Sequence, residues 1–478
     1  MFAGETGDGA DPARQCTAPA VATRSALSSA PVSRACAEIE TVRPLAWRAT
    51  PADVIGRWPR DEPLAALVSA DPTGRGGPWS ILACPGRAVS GWAGVQRALS
   101  NPLARREAQP DDRPPFTSGW LGWLGYEMGR ALEPAVTHRA ASMTDAGVWP
   151  AAHLCRCDGA LAHDARTGDW FACGDSASLP VLDDRLPAEV GGVSIGAVES
   201  MRTRSEYESI VARAVEHIHA GDVFQVNLAR QLRAEFTGSP RRLFLGLLDS
   251  MTPAYAALIE GPREGQAVLS MSPELFLHVD GATGRVVTRP IKGTAAGSAA
   301  ALRLVDSAKD RAELAMIVDL MRNDLGRVCA FGSVRVAEAR AIERHGSRDT
   351  ASGVLHGVAT VEGRLREGAT IANLIAATFP AGSITGAPKI RAMQIIDALE
   401  GRPRGPYCGA VGFIDDTGSL MLNVAIRTAM THDGALDYFV GAGIVADSDP
   451  SAEWAETEAK AAGFRRALAQ MSARRAAP

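Results

Sequence analysis

The stretch Thr288–Thr294, "TRPIKGT", sets Lys292 between an isoleucine and a glycine, two residues after a proline. A lysine kept partly out of water can lose its proton and attack carbon. A carboxyl nearby could then handle the accompanying proton, and Glu274 in "SMSPELFL" stands on the preceding arm of the same candidate hairpin. The competing reading is an ordinary cross-strand Lys–Glu ion pair. Further carboxylates are spaced three apart, Asp310 with Glu313 and Glu453 with Glu456, so each pair lies on one face of a helix. Two such helices facing one another could hold Mg²⁺ through oxygen ligands, with waters completing the octahedron. The bland alternative is solvated helix surface with Glu456 paired to Lys460 at i+4. Arg427 in "NVAIRTAM" sits in an apolar strand pattern, where a guanidinium needs a carboxylate from protein or ligand.

Two glycine-containing loops, "FPAGSITGAPK" (379–389) and "GAGIVADSDP" (441–450), could cradle an anion on exposed backbone N–H groups, or could be ordinary turns. Neither matches GxxxxGK[ST], and "GAGIVA" lacks the third glycine of a dinucleotide fingerprint, so nucleotide binding is weakly supported. In "HLCRC", His153, Cys155 and Cys157 alternate along a strand with no second ligand cluster to follow, which reads as structural rather than metal-binding.

These residues need elements to position them. "SEYESIVARAVEHIHAGD" carries a helical apolar stripe through Ile210, Val211, Ala214, Val215 and Ile218, with Ser205 as cap and Gly221 as stop. "VFQVNLARQLRAEF" alternates as a strand, and "AVLSMSPELFLHVDGATGRVVTRPIKGT" is a hairpin turning at "DGATG". "SAKDRAELAMIVDLMRNDLGRVC" is a second amphipathic helix, and "PLAALVSA" and "GPWSILACPG" are buried strands. The glycines of "GWLGWLGYEMGR" permit close backbone packing. Helices mixed with paired strands indicate an α+β architecture. Residues 1–44, rich in Ala, Ser, Gly and Pro, read as a flexible tail; Glu5, Asp8 and Asp11 fit an organelle transit peptide poorly.

With 478 residues and 46% hydrophobic content the chain can bury a full core. A net charge of -4 without a Lys/Arg run offers no attraction for nucleic acid or acidic membrane, which leaves small molecules as the expected partners. No apolar run is long enough for a transmembrane helix, and no signal sequence begins the chain. Eight scattered cysteines without a CxxC pair suit reduced thiols and a cytoplasmic location.

Taken together, the ordered segments "GDVFQVNLAR", "SPELFL", "RPIKGT", "DRAELAMIVDLMRNDLGRVC", "LHGVATVEGRL", "FPAGSITGAPKIRAMQIID", "YCGAVGF", "NVAIRTA" and "GAGIVADSDPSAEWAETEAKA" resemble the chorismate-utilising enzymes over about residues 200–465. That group includes aminodeoxychorismate and anthranilate synthase components I, isochorismate synthase and salicylate synthase. The resemblance implies two β-sheets packed together between outer helices, an N-terminal anthranilate-synthase-component-I-like region over 45–198 and a chorismate-binding catalytic region over 199–470. Where water-using members carry a lysine this chain has Gln225, which points to ammonia as nucleophile. Where anthranilate synthases typically read PIAGT, this chain reads PIKGT, as aminodeoxychorismate synthases do.

By the same resemblance Lys292 is the nucleophile, Glu274 the acid/base and His356 the active-site histidine. Glu313 and Glu456 would bind Mg²⁺ with Asp310 and Glu453 in support. Thr294, Thr385, Tyr407, Arg427, Lys460 and the backbone at Gly441 and Gly443 would line or hold the substrate. No GxCxGxQ segment is present, so ammonia is expected from a separate glutamine amidotransferase subunit or from solution. "LHGVAT" departs from the usual HLVST, Leu275 stands where many relatives have arginine, and "LAALVSA" replaces the LLES signature that accompanies tryptophan inhibition. Anthranilate synthase component I is the enzymatic alternative, and a chorismate-binding regulatory subunit without turnover is the alternative outside catalysis.

Overall fold

The structure, a computed structural model, describes residues 42–70, 76–103, 113–136, 148–182, 192–296, 307–345 and 354–476. Their strands form a thirteen-stranded and a ten-stranded sheet, with antiparallel neighbours throughout. Residues 1–41 of the expected tail lie outside the described residues. Val42–Leu45 is already a strand, in register with Trp170–Cys173, so the fold begins before the expected boundary at 44. The regions expected over 45–198 and 199–470 contribute strands to the same two sheets. No helix among the described residues is long and apolar enough to cross a membrane.

The period-2 pattern of "QVNLARQLRAEF" becomes the strand Gln225–Gly238, which pairs with Ala435–Ile444 from Val226↔Ile444 to Glu235↔Ala435. The "DGATG" turn joins Leu275–Val279 to Arg285–Arg289 in the ten-stranded sheet, as the alternation predicts. Between the sheets lies an apolar layer in which Ile81, Ile259 and Val268 from one meet Leu121, Trp123, Val411 and Phe413 from the other. The outer faces are covered by helices. Leu243, Phe244 and Leu247 of Pro240–Met251 and Phe464 and Leu468 of Pro450–Ala476 pack on the larger sheet. Leu314 and Ile317 of Ala308–Gly326 share a core with Phe276, Val286 and Val361 of the smaller one. Each such buried side chain contributes about 1.5–3 kcal/mol.

The helix expected from Ser205 runs from Arg204 to His219, and its cap is Thr203. Thr203 Oγ1 accepts from the Glu206 N–H while Glu206 accepts from the Thr203 N–H at 2.7 Å, a reciprocal pair that Ser205 lacks the spacing to make. Gly221 follows with φ +81, the left-handed stop its position suggests.

The glycines of "GWLGWLG" do what close packing requires. A Cβ on Gly122 would stand 1.9 Å from the His153 carbonyl oxygen, across the Gly119–Leu124 and Ala152–Cys157 strand pair. Gly122→Ala is therefore expected to lower stability by at least about 2 kcal/mol, because the atom it meets is backbone and cannot rotate away. A melting temperature equal to wild type would contradict this.

Candidate active site

Lys292 lies on the strand Ile291–Ala296, whose pairing with Val354–Arg364 shifts register between Lys292↔Gly357 and Thr294↔His356. The extra residue is Gly293, with φ +80, a bulge next to the lysine. Its ammonium lies 3.8 Å from Glu313 Oε2, on the helix Ala308–Gly326. That contact corrects the expected cross-strand pair, since the carboxylate at ion-pair distance is Glu313 rather than Glu274. Burial lowers the Lys292 pKa, reinforced by the nearby Lys460 charge and opposed by Glu313, Glu274 and Glu456.

Gln225 is fully buried beside it. A Cβ at Gly443 would stand 2.6 Å from Gln225 Nε2, 3.0 Å from Lys292 Nζ and 3.2 Å from Asn227 Oδ1, so these three side chains converge on the space left by a glycine. Neither the amide nitrogen nor the amide oxygen of Gln225 has a hydrogen-bond partner among the described residues. An orphaned buried polar group costs about 1–3 kcal/mol, a penalty that a ligand in this space would relieve.

Glu274 is buried in the short link between the strands Ala267–Ser272 and Leu275–Val279. Its backbone is fixed by Ser272 Oγ, which accepts from the Glu274 N–H at 3.1 Å, and by the Val424 N–H, which donates to its carbonyl at 3.0 Å. Burial pushes the carboxyl pKa up to about 7, against hydrogen bonds from the Ser383 hydroxyl and Ile291 backbone and against the Lys292 charge. Such a group can give and take a proton near neutrality. Ser383 was not among the residues expected from sequence; the quoted loop contained it, but nothing in the linear chain shows which side chain it faces.

Arg427 corrects a second expectation. It falls between the strands Leu420–Val424 and Thr428–His432, in a left-handed conformation with φ +51, and its carbonyl accepts from the Met271 N–H. Its guanidinium lies 3.4 Å from His356 Nε2, and burial lowers its pKa. No carboxylate among the described residues lies within ion-pair distance of it, so a ligand carboxylate would be its natural partner.

Gly441 and Gly443 belong to the strand Ala435–Ile444 rather than to a loop. A Cβ at Gly441 would stand 3.1 Å from the Tyr407 hydroxyl, and Lys460 Nζ donates to the Gly441 carbonyl at 2.8 Å. Tyr407 stacks on Phe439 with centroids 5.1 Å apart. Thr385 is fully buried, with Oγ1 donating to the Ala381 carbonyl at 3.0 Å. Thr294 faces His356 only in strand register.

Of the four acidic residues expected to hold a metal, Glu313 is raised by burial and by the Asp310 and Glu456 charges, against Lys292 and Lys309. Burial acts the same way on Glu456, yet Lys460, 2.7 Å away, holds its pKa below the usual range; that i+4 pair is the bland reading, observed. Glu453 receives the Ser448 hydroxyl on one oxygen at 2.6 Å, and its other oxygen is buried with no partner among the described residues. Asp310 stands in the first turn of its helix, its N–H donating to Ser307. Among the described residues no three His, Cys, Asp or Glu side chains already converge into a closed metal shell. An orphaned carboxylate oxygen and mutual Glu repulsion nevertheless suit a hard cation that keeps several of its waters.

His153 and Cys155 are core instead: Nε2 and Sγ are 3.1 Å apart, the imidazole packs on Trp123, and burial pushes His153 down to about 4 and Cys155 up to about 12.

The chain is similar to known proteins in sequence and in fold. The chorismate binding enzyme family profile matches residues 78–466, beginning well before the segment in which the resemblance was read. Anthranilate synthase component 1 1 of Haloarcula marismortui is 36% identical over 394 residues, 76% of this chain and 78% of that one. Aminodeoxychorismate synthase component 1 of Escherichia coli K12 is 35% identical over 376 residues, 76% of this chain and 80% of that one. In three dimensions, anthranilate synthase component I from Streptococcus pneumoniae superposes with a TM-score of 0.65 at 26% identity, covering 80% of this chain and 90% of that one. The menaquinone-specific isochorismate synthase of Escherichia coli shares the fold, with a TM-score of 0.68 at 17% identity over 90% and 94% of the two chains. The chain belongs to the family of chorismate binding enzymes.

Proposed function

We propose that this chain is an aminodeoxychorismate synthase component I, which converts chorismate and ammonia to 4-amino-4-deoxychorismate for 4-aminobenzoate and folate synthesis. The observation that carries the reading is Lys292, buried with a lowered pKa beside the unpartnered amide of Gln225. The neutral amine attacks C2 of the substrate ring, both ring double bonds shift, C1=C2 to C1=C6 and C5=C6 to C4=C5, and the C4 hydroxyl departs as water with a proton from Glu274. Ammonia, arriving on the Gln225 side, then attacks C4, both double bonds shift back, Lys292 leaves C2 as the free amine, and the Glu274 carboxylate takes the proton that the incoming nitrogen sheds. Two displacements preserve the configuration at C4. Arg427 and Lys460 hold substrate carboxylates, with Tyr407, Thr385, Thr294 and the Gly441 and Gly443 backbone shaping the pocket, and His356 supports Arg427.

Mg²⁺, where bound, would be held by Glu313 and Glu456 with Glu453 and Asp310 in support, and would offset the charge of the ring carboxylate. Glutamine-derived ammonia would come from a separate amidotransferase subunit, as the "component 1" names of the relatives imply for those proteins.

Anthranilate synthase component I is the second reading, favoured by the archaeal relative; that chemistry would go on to expel pyruvate. Incubating the protein with chorismate, Mg²⁺ and an ammonium salt, with and without an aminodeoxychorismate lyase, separates the two. 4-Aminobenzoate only in the presence of lyase supports the first; anthranilate and pyruvate without lyase refute it.

The pH dependence follows from the acid role. Glu274 must carry its proton to serve the departing hydroxyl, so its limb falls as pH rises through about 7. Ser383→Ala removes a donor that stabilises the carboxylate, which raises the pKa further and moves that limb to higher pH. A limb that stays put or moves down would show that Ser383 does not reach Glu274 in the working enzyme.

A further inference from the structure

Behind the wall that carries Gln225 lies a buried ion pair that the reaction just outlined does not use. Arg404 is 2% exposed, and its guanidinium is committed on every side. Nε and Nη2 donate to the two carboxylate oxygens of Glu400, at 2.9 and 2.5 Å. Nη2 also donates to the Asn227 carbonyl at 2.8 Å, and Nη1 to the Ile384 carbonyl at 3.4 Å. The guanidinium carbon lies 4.6 Å over the Tyr126 ring, and the Arg404 N–H donates to Glu127 at 2.7 Å. Glu400 in turn accepts from the Ala229 N–H at 2.7 Å. A buried ion pair is a poor device for stability alone, because well-packed apolar residues usually serve as well or better.

The two carbonyls that Arg404 joins belong to two walls of the site. Asn227 lies two residues along the strand from Gln225, so their side chains share a face. Ile384 lies between Ser383, which hydrogen-bonds Glu274, and Thr385. The walls also touch directly, through the Asn227 N–H on the Thr385 carbonyl at 2.9 Å and Asn227 Nδ2 on the Ser383 carbonyl at 3.1 Å. We propose that Arg404 is a positioning residue for the reaction: its fork fixes the Gln225 wall, where the nucleophile arrives, against the Ser383–Thr385 loop, which orients Glu274. The proposal rests on the roles given above to Gln225 and Glu274. It predicts a loss larger in kcat than in chorismate KM, because Arg427 and Lys460, which hold the substrate carboxylates, are tied to His356 and Gly441, while Arg404 meets the pocket through the Thr385 loop and the Tyr407 ring, 5.9 Å from its guanidinium carbon.

Two variants test it. Arg404→Lys keeps the charge and loses the planar fork. Arg404→Ala leaves a space of guanidinium size beside a shallow cleft lined by Tyr126, Glu127, Arg130 and Arg402, and free guanidinium ion is the probe for it. With ammonium as nitrogen source, kcat is expected to fall about 100-fold in both, the scale of a misplacement near 1 Å, with KM for chorismate changed less than about threefold. Millimolar guanidinium is expected to restore Arg404→Ala by about tenfold or more and to leave Arg404→Lys unchanged. The proposal is overturned by an Arg404→Lys kcat near wild type, by a loss carried equally by KM, or by a folded Arg404→Ala that guanidinium does not restore. If Arg404→Ala does not fold, Arg404→Lys decides: reduced kcat at the wild-type melting temperature upholds the proposal, and failure to fold assigns Arg404 to the core and overturns it. A wild type that forms no aminated product refutes the underlying reading, and this inference with it.

Discussion

Lys292→Ala is expected to lose amination of chorismate by about 10³-fold or more in kcat/KM, because it removes the atom that bonds to the ring. The same lysine sits 3.8 Å from Glu313, so a loss of activity could instead report a broken ion pair. Lys292→Arg separates the two roles. A guanidinium keeps its positive charge and can still face Glu313, but it stays protonated and cannot act as nucleophile. A structural ion pair predicts that arginine restores most activity; a nucleophile predicts that arginine is as inactive as alanine. The environment favours the second, since burial acts first on Lys292 and pulls its pKa down against the opposing carboxylates. An adduct should also be trapped when chorismate is supplied without ammonia. Intact-protein mass should rise by one chorismate less one water in wild type, and by nothing in either variant. Near-wild-type activity in Lys292→Arg would sink the covalent mechanism.

Periodicity made the architecture legible, because alternation and the 3.6-residue stripe report which face each element buries. The strand Gln225–Gly238, the hairpin at "DGATG" and the helix Ala308–Gly326 follow from those patterns directly. The Thr203 cap is legible too, since "TRSE" carries the capping-box spacing from Thr203 to Glu206, which Ser205 does not have. Periodicity says nothing about which faces meet across the two sheets. Glu274 was expected to pair with Lys292 from the preceding arm, yet the carboxylate at ion-pair distance from the lysine is Glu313 on a helix, with Glu274 near enough only to act through its charge. Ser383 became visible only once its loop was folded over Glu274. The left-handed conformation at Arg427 and the strand placement of Gly441 and Gly443 depend on pairing partners far away in the chain. Residue type and spacing singled out Lys292, Glu274, Arg427 and the paired carboxylates; their roles came from resemblance, and their geometry from the fold.

Glu274→Gln is expected to lower turnover by about 10²–10⁴-fold, the range for loss of a positioned acid, with chorismate affinity little changed. Glutamine has nearly the same shape, and its amide oxygen can still accept from the Ser383 hydroxyl and the Ile291 N–H, so the local packing should survive. What disappears is titration: the limb near pH 7 should vanish from the profile of the residual activity. Coupling to Ser383 provides the sharper test. If Ser383 acts through the Glu274 carboxylate, Ser383→Ala shifts the limb in an otherwise wild-type chain and changes little further once Glu274 is glutamine, so the two effects are non-additive. Independent, additive losses would mean that Ser383 touches the substrate on its own account. A Glu274→Gln variant within about tenfold of wild type would assign the acid elsewhere, because a positioned proton donor at the departing hydroxyl contributes more than that.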